Sequence, residues 1–424
     1  MLPKEYSAWV KQDPGIPGLA TLLDPEAFQK CLQPIVQVED VQLKQIRFKP
    51  QRNCVAAYEM KVSGILTDVY AKAYAPYGAN KIRKTLEQMS AAANNPPQKI
   101  ALEKEAIVVF FFPADGKLSL DHLVEPEKRA RLMKELFPND KERWESAAQG
   151  LRYRAERRYS AQLSSQGKPW AFVKAYTQLG YPAGKIGAQT FCSKGPLQIP
   201  QLLGSSDKHC ILAFEWIPAV PLKEFLSAPD LDFGTLETVG KAIAEMHSQD
   251  GGELTPLSRE DEAADLIDRA NLFCTFCPYL SDQALSLAGR LSKLVGRQPP
   301  VNRPIHGDFY MGQVMADGDK IVIVDFDQAA LGDPARDFGL LVAQLTRDVL
   351  RGELAPERFA EAESALLQGY RSKVDEACCA RIPLYTTLNL FRLASEPFRL
   401  CEPDWPRRME AILQKTEDFL QIPA

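Results

Sequence analysis

Residues 305–345 read IHGDFYMGQVMADGDKIVIVDFDQAALGDPARDFGLLVAQL. Asp308 stands on a tight His306-Gly307 turn, an amide side chain follows at Gln313, and Asp325 ends the apolar run Ile321 to Val324. The stretch between the two carboxylates reads as strand, turn and strand. Burying a lone carboxylate at the end of an apolar strand is costly, and a cation explains Asp325 directly. Asp327 faces the same side of an extended chain as Asp325. It is read as holding a second metal ion or a ligand water. A carboxylate that orients an acceptor hydroxyl, with oxygen ligands that hold Mg²⁺ against nucleotide phosphates, is the set phosphoryl transfer requires. An HGD triplet alone is a weak signal; the ordered series of HGD, Gln, hairpin and DFD is specific.

With those residues in that order, the segment resembles the catalytic core of the aminoglycoside phosphotransferase/choline kinase-like enzymes, small-molecule relatives of the protein kinases. The resemblance implies an α+β, bilobal, protein-kinase-like fold with a β-rich N-lobe and a mainly helical C-lobe. It implies ATP and Mg²⁺ as cofactors, Asp308 as the catalytic Asp, and Asp325 as the main Mg²⁺ ligand. His306 is expected to hold the catalytic turn by hydrogen bonds rather than to transfer protons. Gln313 takes the place where most of the family carries a metal-binding Asn, with the same amide oxygen on a longer stem. Maltokinase-like members also carry Gln there, which tilts the acceptor slightly toward sugars. Asp333 and Asp337, in GDPARDFG, match a motif that anchors the catalytic loop in relatives, and both are read as structural support, with Arg336 at the surface.

Composition agrees with this class. The 424 residues allow two or three domains, and 25% charged with 45% hydrophobic residues is ordinary for a globular chain. A formal net charge of −4 gives no electrostatic reason to expect nucleic acid. The most apolar run, Ala106 to Phe112, is too short to span a bilayer, and the N-terminus lacks a signal-peptide core. No membrane partner is therefore expected. Nine scattered cysteines without scaffold spacing point to a reducing cytoplasm. Cys274 and Cys277 form a single CxxC with no second ligand pair at zinc spacing, so they are read as apolar thiols on a helix. The adjacent Cys378-Cys379 pair is read as helix surface or core.

Outward from the core segment, the sequence repeats. RFKPQRNCVAAYEM (47–60) with VYAKAY (69–74) resembles RYRAERRYSAQL (152–163) with AFVKAY (171–176), and IVVFFFPADGKLSLDHL (107–123) resembles ILAFEWIPAVPLKEFL (211–226). Arg47 and Arg152 are 105 residues apart, as are Pro113 and Pro218; Lys72 and Lys174 are 102 apart. Near-constant spacing argues for duplication of a whole unit. Each copy reads as two strands, a third strand ending in Lys, a helical stretch, and an apolar strand into a linker. Three segments follow: 1–145 as a duplicated N-lobe unit, 146–217 as the working N-lobe, and 218–424 as the helical C-lobe. Copy 2 leads directly to HGD. The resemblance then implies that Lys174 pairs with the α/β-phosphates and that backbone groups of Glu215, Trp216 and Ile217 form the adenine hinge.

Two features depart from a kinase pattern. Copy 2 has no acidic residue between Lys174 and Asp207, so the helix Glu that steadies a kinase lysine is absent, and Gln189 is the nearest polar substitute. Copy 1 keeps Glu87 fifteen residues after Lys72, and either copy 2 works without the ion pair or copy 1 supplies a group to the cleft. No GxGxxG covers the phosphates; Arg154, Arg157 and Arg158 on the first turn of copy 2 read either as a solvated turn or as positive charge over phosphates. In the C-lobe, His247 is read as a packing or capping residue. Glu262, Asp265 and Asp268 are read as a solvated acidic face or as acceptor contacts. The leading reading is a phosphotransferase acting on a hydroxylated small molecule: a sugar, amino sugar, aminoglycoside or related metabolite. The competing one is a pseudokinase that binds nucleotide or a partner without turnover. Only 16 residues separate Asp308 from Asp325 and no activation segment follows, which disfavours a protein kinase. Oligomeric state is left open.

Overall fold

Two five-stranded antiparallel sheets of the same connectivity come first. The computed structural model describes residues 2–90, 98–226 and 232–421. The first sheet contains β1 (Val38–Lys49), β2 (Asn53–Val62), β3 (Ile65–Tyr74), β4 (Lys99–Leu102) and β5 (Ile107–Phe111), in the order β1-β2-β3-β5-β4. In the second half of the repeat come β6 (Ala147–Arg154), β7 (Arg158–Ser165), β8 (Lys168–Tyr176), the short β9 (Leu197–Gln198), β10 (Leu202–Ser206) and β11 (Ile211–Glu215). Its sheet runs β6-β7-β8-β11-β10, the same order once β9 is set aside. The register repeats as well: Lys72 sits opposite Val55 and Val108, and Lys174 opposite Ser160 and Leu212.

Strand alternation gives each sheet two different faces. On the first sheet, Val69, Ala71 and Ala73 join the main core with Phe28, Leu22 and Trp9 of the N-terminal helical segments. Tyr70, Lys72 and Tyr74 point to the other face, where Tyr70 and Tyr74 pack with Phe110 and Ile82. On the second sheet, Ala171, Val173 and Ala175 pack against Leu132, Met133 and Leu136 of the helix Pro126–Leu136. Phe172, Lys174 and Tyr176 then fall on the face that receives the helix Tyr181–Thr190. Both lysines therefore lie on the face covered by the helix that follows their strand.

The C-terminal half is helical, as its 3.6-residue apolar spacing predicts. The helices Phe233–His247, Arg259–Phe276, Ser281–Gly296, Ala335–Leu350, Pro356–Arg371, Ile382–Leu393 and Trp405–Gln421 carry it. β12 (Val220–Pro221) precedes them, and between them run β13 (Arg303–Ile305), β14 (Val314–Asp317), β15 (Lys320–Ile323) and β16 (Ala330–Gly332). β14 and β15 form the expected hairpin between the two carboxylate motifs, and β13 pairs with β16. One apolar core runs from Tyr6 of the first helix through the first sheet to Leu413 near the C-terminus. Trp9 shows how: its ring lies edge-on to Phe48, Phe276 and Phe398. Cys274 lies on the helix Arg259–Phe276 and Cys277 follows it, while Cys378 and Cys379 are buried. No helix among the described residues is long and apolar enough to cross a membrane.

Candidate active site

The HGD turn is held from beneath by one buried carboxylate. Asp337, in the first turn of the helix Ala335–Leu350, accepts from the N–H groups of His306 at 2.6 Å and Gly307 at 2.9 Å. Its Oδ2 also meets His247 Nε2 at 3.0 Å, and His247 Nδ1 lies 3.0 Å from the Tyr370 hydroxyl. Burial alone would push the Asp337 carboxyl up. The hydrogen bond and charge of His247, with His306 beside it, win and hold it below the usual carboxylate range. Gly307 has φ +81°, and a Cβ there would meet the Gln328 carbonyl oxygen, so the turn requires glycine twice over.

His306 is fully buried, and among the described residues its ring bonds only to backbone. The Asp308 N–H donates to its Nδ1 at 3.4 Å, so the ring proton sits on Nε2 and is donated to the Val324 carbonyl at 2.9 Å. This one ring ties the Asp308 turn to Val324, which links β15 to Asp325. Burial, followed by the negative charge of Asp325, raises the Asp308 carboxyl above its ordinary range against the opposing pull of His306. Across the hairpin the Val324 N–H donates to the Gln313 carbonyl at 3.2 Å, which sets Gln313 beside the same strand end. The Gln313 side chain is buried, and its Oε1 has no hydrogen-bond partner among the described residues.

Asp325 and Asp327 do share a side, but the expected extended chain is not how. Asp325 adopts φ +76° and leads into a 3₁₀ turn, Phe326–Gln328, that brings both carboxylates round to the second sheet. Lys174 Nζ reaches Asp325 Oδ1 at 2.7 Å and Asp327 Oδ1 at 3.0 Å. Arg158 NH1 lies 2.5 Å from Asp325 Oδ1 and contacts Asp327 as well. The Tyr176 hydroxyl donates to Asp327 at 2.9 Å. Burial opposes the ionised form of Asp325, yet Lys174 and Arg158 hold its carboxyl far below the usual range.

Lys174 thus takes its acidic partners from the C-lobe. Gln189 is exposed and is not its partner. The close helix explains the missing Glu: a Cβ at Gly187 would strike the Phe326 carbonyl, so the helix Tyr181–Thr190 lies against the DFD turn itself. A narrow cleft opens beside this contact, lined among others by Phe172, Lys174, Ala188, Phe214, Asp325 and Phe326. Phe172 and Phe214 stack at 4.9 Å and 15°. At the linker, the N–H groups of Glu215 and Trp216 donate to the Gln201 and Trp170 carbonyls at 2.9 and 3.2 Å. Those two donors are spent internally. The Ile217 N–H has no partner among the described residues and remains available to a ligand edge.

Several sequence expectations change. The Arg154–Arg158 turn is not a solvated turn: Ala155 and Glu156 are buried, and Arg158 faces the two carboxylates, while Arg157 stays exposed. Lys72 pairs with Glu156, not with Glu87, whose neighbour is Arg83 at 4.0 Å. Glu262 is buried under Arg259 and Arg336, and Asp265 is shared by Arg269 and Arg392 at 2.9 Å each, so both are neutralised within the fold; Asp268 is exposed. Arg336 is accordingly not a surface residue. Asp333 accepts from the Ala335 N–H at 3.1 Å and pairs with Arg381 at 2.6 Å. His247 does more than pack, since it supports Asp337. The only sequence sign of that link is that the His ends an amphipathic helix.

Residues 188–374 match the phosphotransferase enzyme family; Lys174 and Arg158 lie outside the matched span. No curated protein matches the chain. Among solved structures, amicoumacin kinase hAmiN in complex with AMP-PNP, Ca²⁺ and Ami is 16% identical, with 72% of this chain and 99% of that one covered at a TM-score of 0.51. A choline/ethanolamine kinase family protein from Mesorhizobium loti is 12% identical over 70% of this chain and 95% of that one, with a TM-score of 0.48. A thermostable mutant of aminoglycoside phosphotransferase APH(4)-Ia, in ternary complex with ADP and hygromycin B, is 13% identical over 71% and 99%, with a TM-score of 0.49. The similarity to the phosphotransferase enzyme family thus lies in residues 188–374, the span that holds the Asp308 turn, Gln313 and both DFD carboxylates.

Proposed function

We propose that the protein transfers the γ-phosphoryl group of ATP to a hydroxyl of a small molecule. The observation that carries this is one assembly. A carboxylate with a raised pKa on an Asp337-held turn is joined through His306 to a strand end bearing two carboxylates and a lysine. Asp308 accepts or orients the acceptor proton, and its raised pKa moves it toward the working range of a general base. His306 keeps Asp308 in register with Asp325. Lys174 engages the α/β-phosphates, and the linker at Glu215 to Ile217 receives the adenine edge by backbone groups. One of the solved structures similar in fold is a complex with a nucleotide analogue and a divalent cation, which supports nucleotide and metal use.

The residues fit a magnesium ion. Asp325, Asp327 and the orphaned Gln313 Oε1 offer hard oxygen donors. Among the described residues no three acidic, His or Cys side chains form a cage. Mg²⁺ commonly binds through one or two carboxylates and completes its shell with nucleotide phosphates. When bound, it neutralises charge developing on the transferred phosphoryl group. Sugars, amino sugars, aminoglycosides and related metabolites all fit the acceptor class, and Gln313 favours the sugars.

An ADP-release screen over these acceptors and amino alcohols tests the reading. Asp308→Asn should lower kcat by about 100-fold or more, the typical contribution of a positioned general base. Equal activity in the wild type and this variant would overturn the assignment. Lys174→Ala should raise the KM for ATP and Lys72→Ala should leave Lys174's contacts intact; if only the second raises it, the first copy is the nucleotide lobe. MgATP binding without turnover on any acceptor would favour the pseudokinase.

A further inference from the structure

The turn joining β6 to β7 stands where a nucleotide cover would, and its tip is buried in the first sheet. Glu156 carboxylate oxygens accept from Lys72 Nζ at 2.9 and 2.8 Å, with both side chains at most 10% exposed. The Glu156 N–H donates to Asp115 Oδ2 at 2.8 Å, and the Tyr153 hydroxyl donates to the same oxygen at 2.7 Å. Arg47 NH2 donates to the Ala155 carbonyl at 2.6 Å, and Ala155 packs among Val55, Tyr70 and Tyr74. Glu156 holds φ +53°, a left-handed backbone that a non-glycine residue keeps only when its surroundings enforce it. Two residues on, Arg158 meets Asp325 and Asp327.

Lys72 occupies in the first sheet the register that Lys174 occupies in the second, but its ammonium is taken by Glu156. We propose that the first copy of the repeat is a clamp for the phosphate-facing hairpin rather than a second nucleotide lobe. In this role Lys72 and Glu156 are positioning residues that hold Arg158 over the Asp325–Asp327 pair. The inference rests on the phosphotransferase reading for its consequence, because Arg158 then helps organise the nucleotide phosphates and metal. The clamp itself rests on the contacts alone. It also accounts for the absent glycine-rich loop, since a hairpin fixed from outside does not rely on its own backbone amides to keep its place.

Two measurements separate the parts. Amide hydrogen exchange over residues 152–160 reads the clamp without nucleotide. Lys72→Met and Glu156→Gln should each speed exchange there by about tenfold or more while the helical half keeps its protection, as expected for a local opening unit. Unchanged exchange overturns the clamp. MgADP affinity then reads the consequence. Glu156→Gln should weaken it by about tenfold, and the effect should vanish in an Arg158→Ala background, because residues acting through one path are not additive. An equal loss in both backgrounds overturns the action through Arg158. The charge-reversed pair Lys72→Glu with Glu156→Lys should recover part of the affinity that each single change loses, which a general loss of folding would not do. If exchange rises as expected but the wild type binds no MgADP, the phosphotransferase reading fails and the positioning role falls with it, while the clamp stands.

Discussion

Asp337→Asn is the sharpest perturbation of the HGD turn. In the wild type, Oδ2 accepts from the His306 N–H and His247 Nε2, and Oδ1 accepts from the Gly307 N–H. An Asn keeps one oxygen and presents an NH₂ to the remaining donor. A buried N–H left without an acceptor costs about 1–3 kcal/mol. The surviving bonds lose their charge assistance, which roughly halves them and removes about 1 kcal/mol more. Removing a buried charge would offset this only if the surroundings disfavoured ionisation, and the lowered pKa shows that they favour it. The expected net loss is about 2–4 kcal/mol. Urea unfolding followed by tryptophan fluorescence should show an earlier midpoint for the transition containing the helical half. The pH dependence fixes the sign independently. A carboxyl held below its unfolded value of about 3.9 contributes fully above that pH and loses its contribution as pH falls through the folded value. The gap between wild type and variant should therefore be constant near neutrality and shrink below about pH 4. A loss under about 1 kcal/mol with kcat unchanged would refute the claim that Asp337 holds the turn.

Three further outcomes follow from the same geometry. Gly307→Ala places a Cβ at positive φ against the Gln328 carbonyl and should cost about 2 kcal/mol or more, read as a lower urea midpoint together with lost ADP release. Gln313→Leu removes an unsatisfied buried oxygen, so the metal-free protein should gain up to about 1–3 kcal/mol while the thermal stabilisation by MgADP shrinks; a destabilised variant with unchanged metal response would sink the ligand assignment. Asp308→Asn should raise the urea midpoint at neutral pH, because a carboxyl whose folded pKa is raised penalises the fold above its unfolded value. That gain should fade as pH falls toward about 4, and a variant less stable than wild type at pH 7 would contradict it.

What the sequence made legible was local. The HGD turn, the hairpin and Asp325 just beyond it lie within 23 residues, from Pro304 to Phe326, so their mutual placement follows from short-range pattern. The side shared by Asp325 and Asp327 was also legible, though for the wrong reason, since a left-handed residue and a 3₁₀ turn replace the extended chain. Charges were misread where their partners come from far along the chain. Glu262 looks like part of a solvated helix face until Arg336, 74 residues later, closes over it. Glu156 looks like a turn residue until Lys72, 84 residues earlier, is found beneath it.

The duplicated lysines show why similarity between the copies does not decide function. Periodicity fixes which face of the third strand each lysine occupies, and both copies obey it. It does not fix what that face meets. Only the second copy runs on through its linker into the lobe that carries Asp325 and Asp327, so of the two lysines only Lys174 meets the DFD carboxylates. The first copy's lysine faces the next segment of chain able to reach it, and that segment is the second copy's own hairpin. The same connection explains the missing helix Glu. With Gly187 against the Phe326 carbonyl, the helix is too close to the DFD turn for a long side chain, and the carboxylates of that turn stand where the Glu would. A lysine without an acidic partner in its own lobe is therefore the expected signature of a lobe that closes directly on the DFD turn.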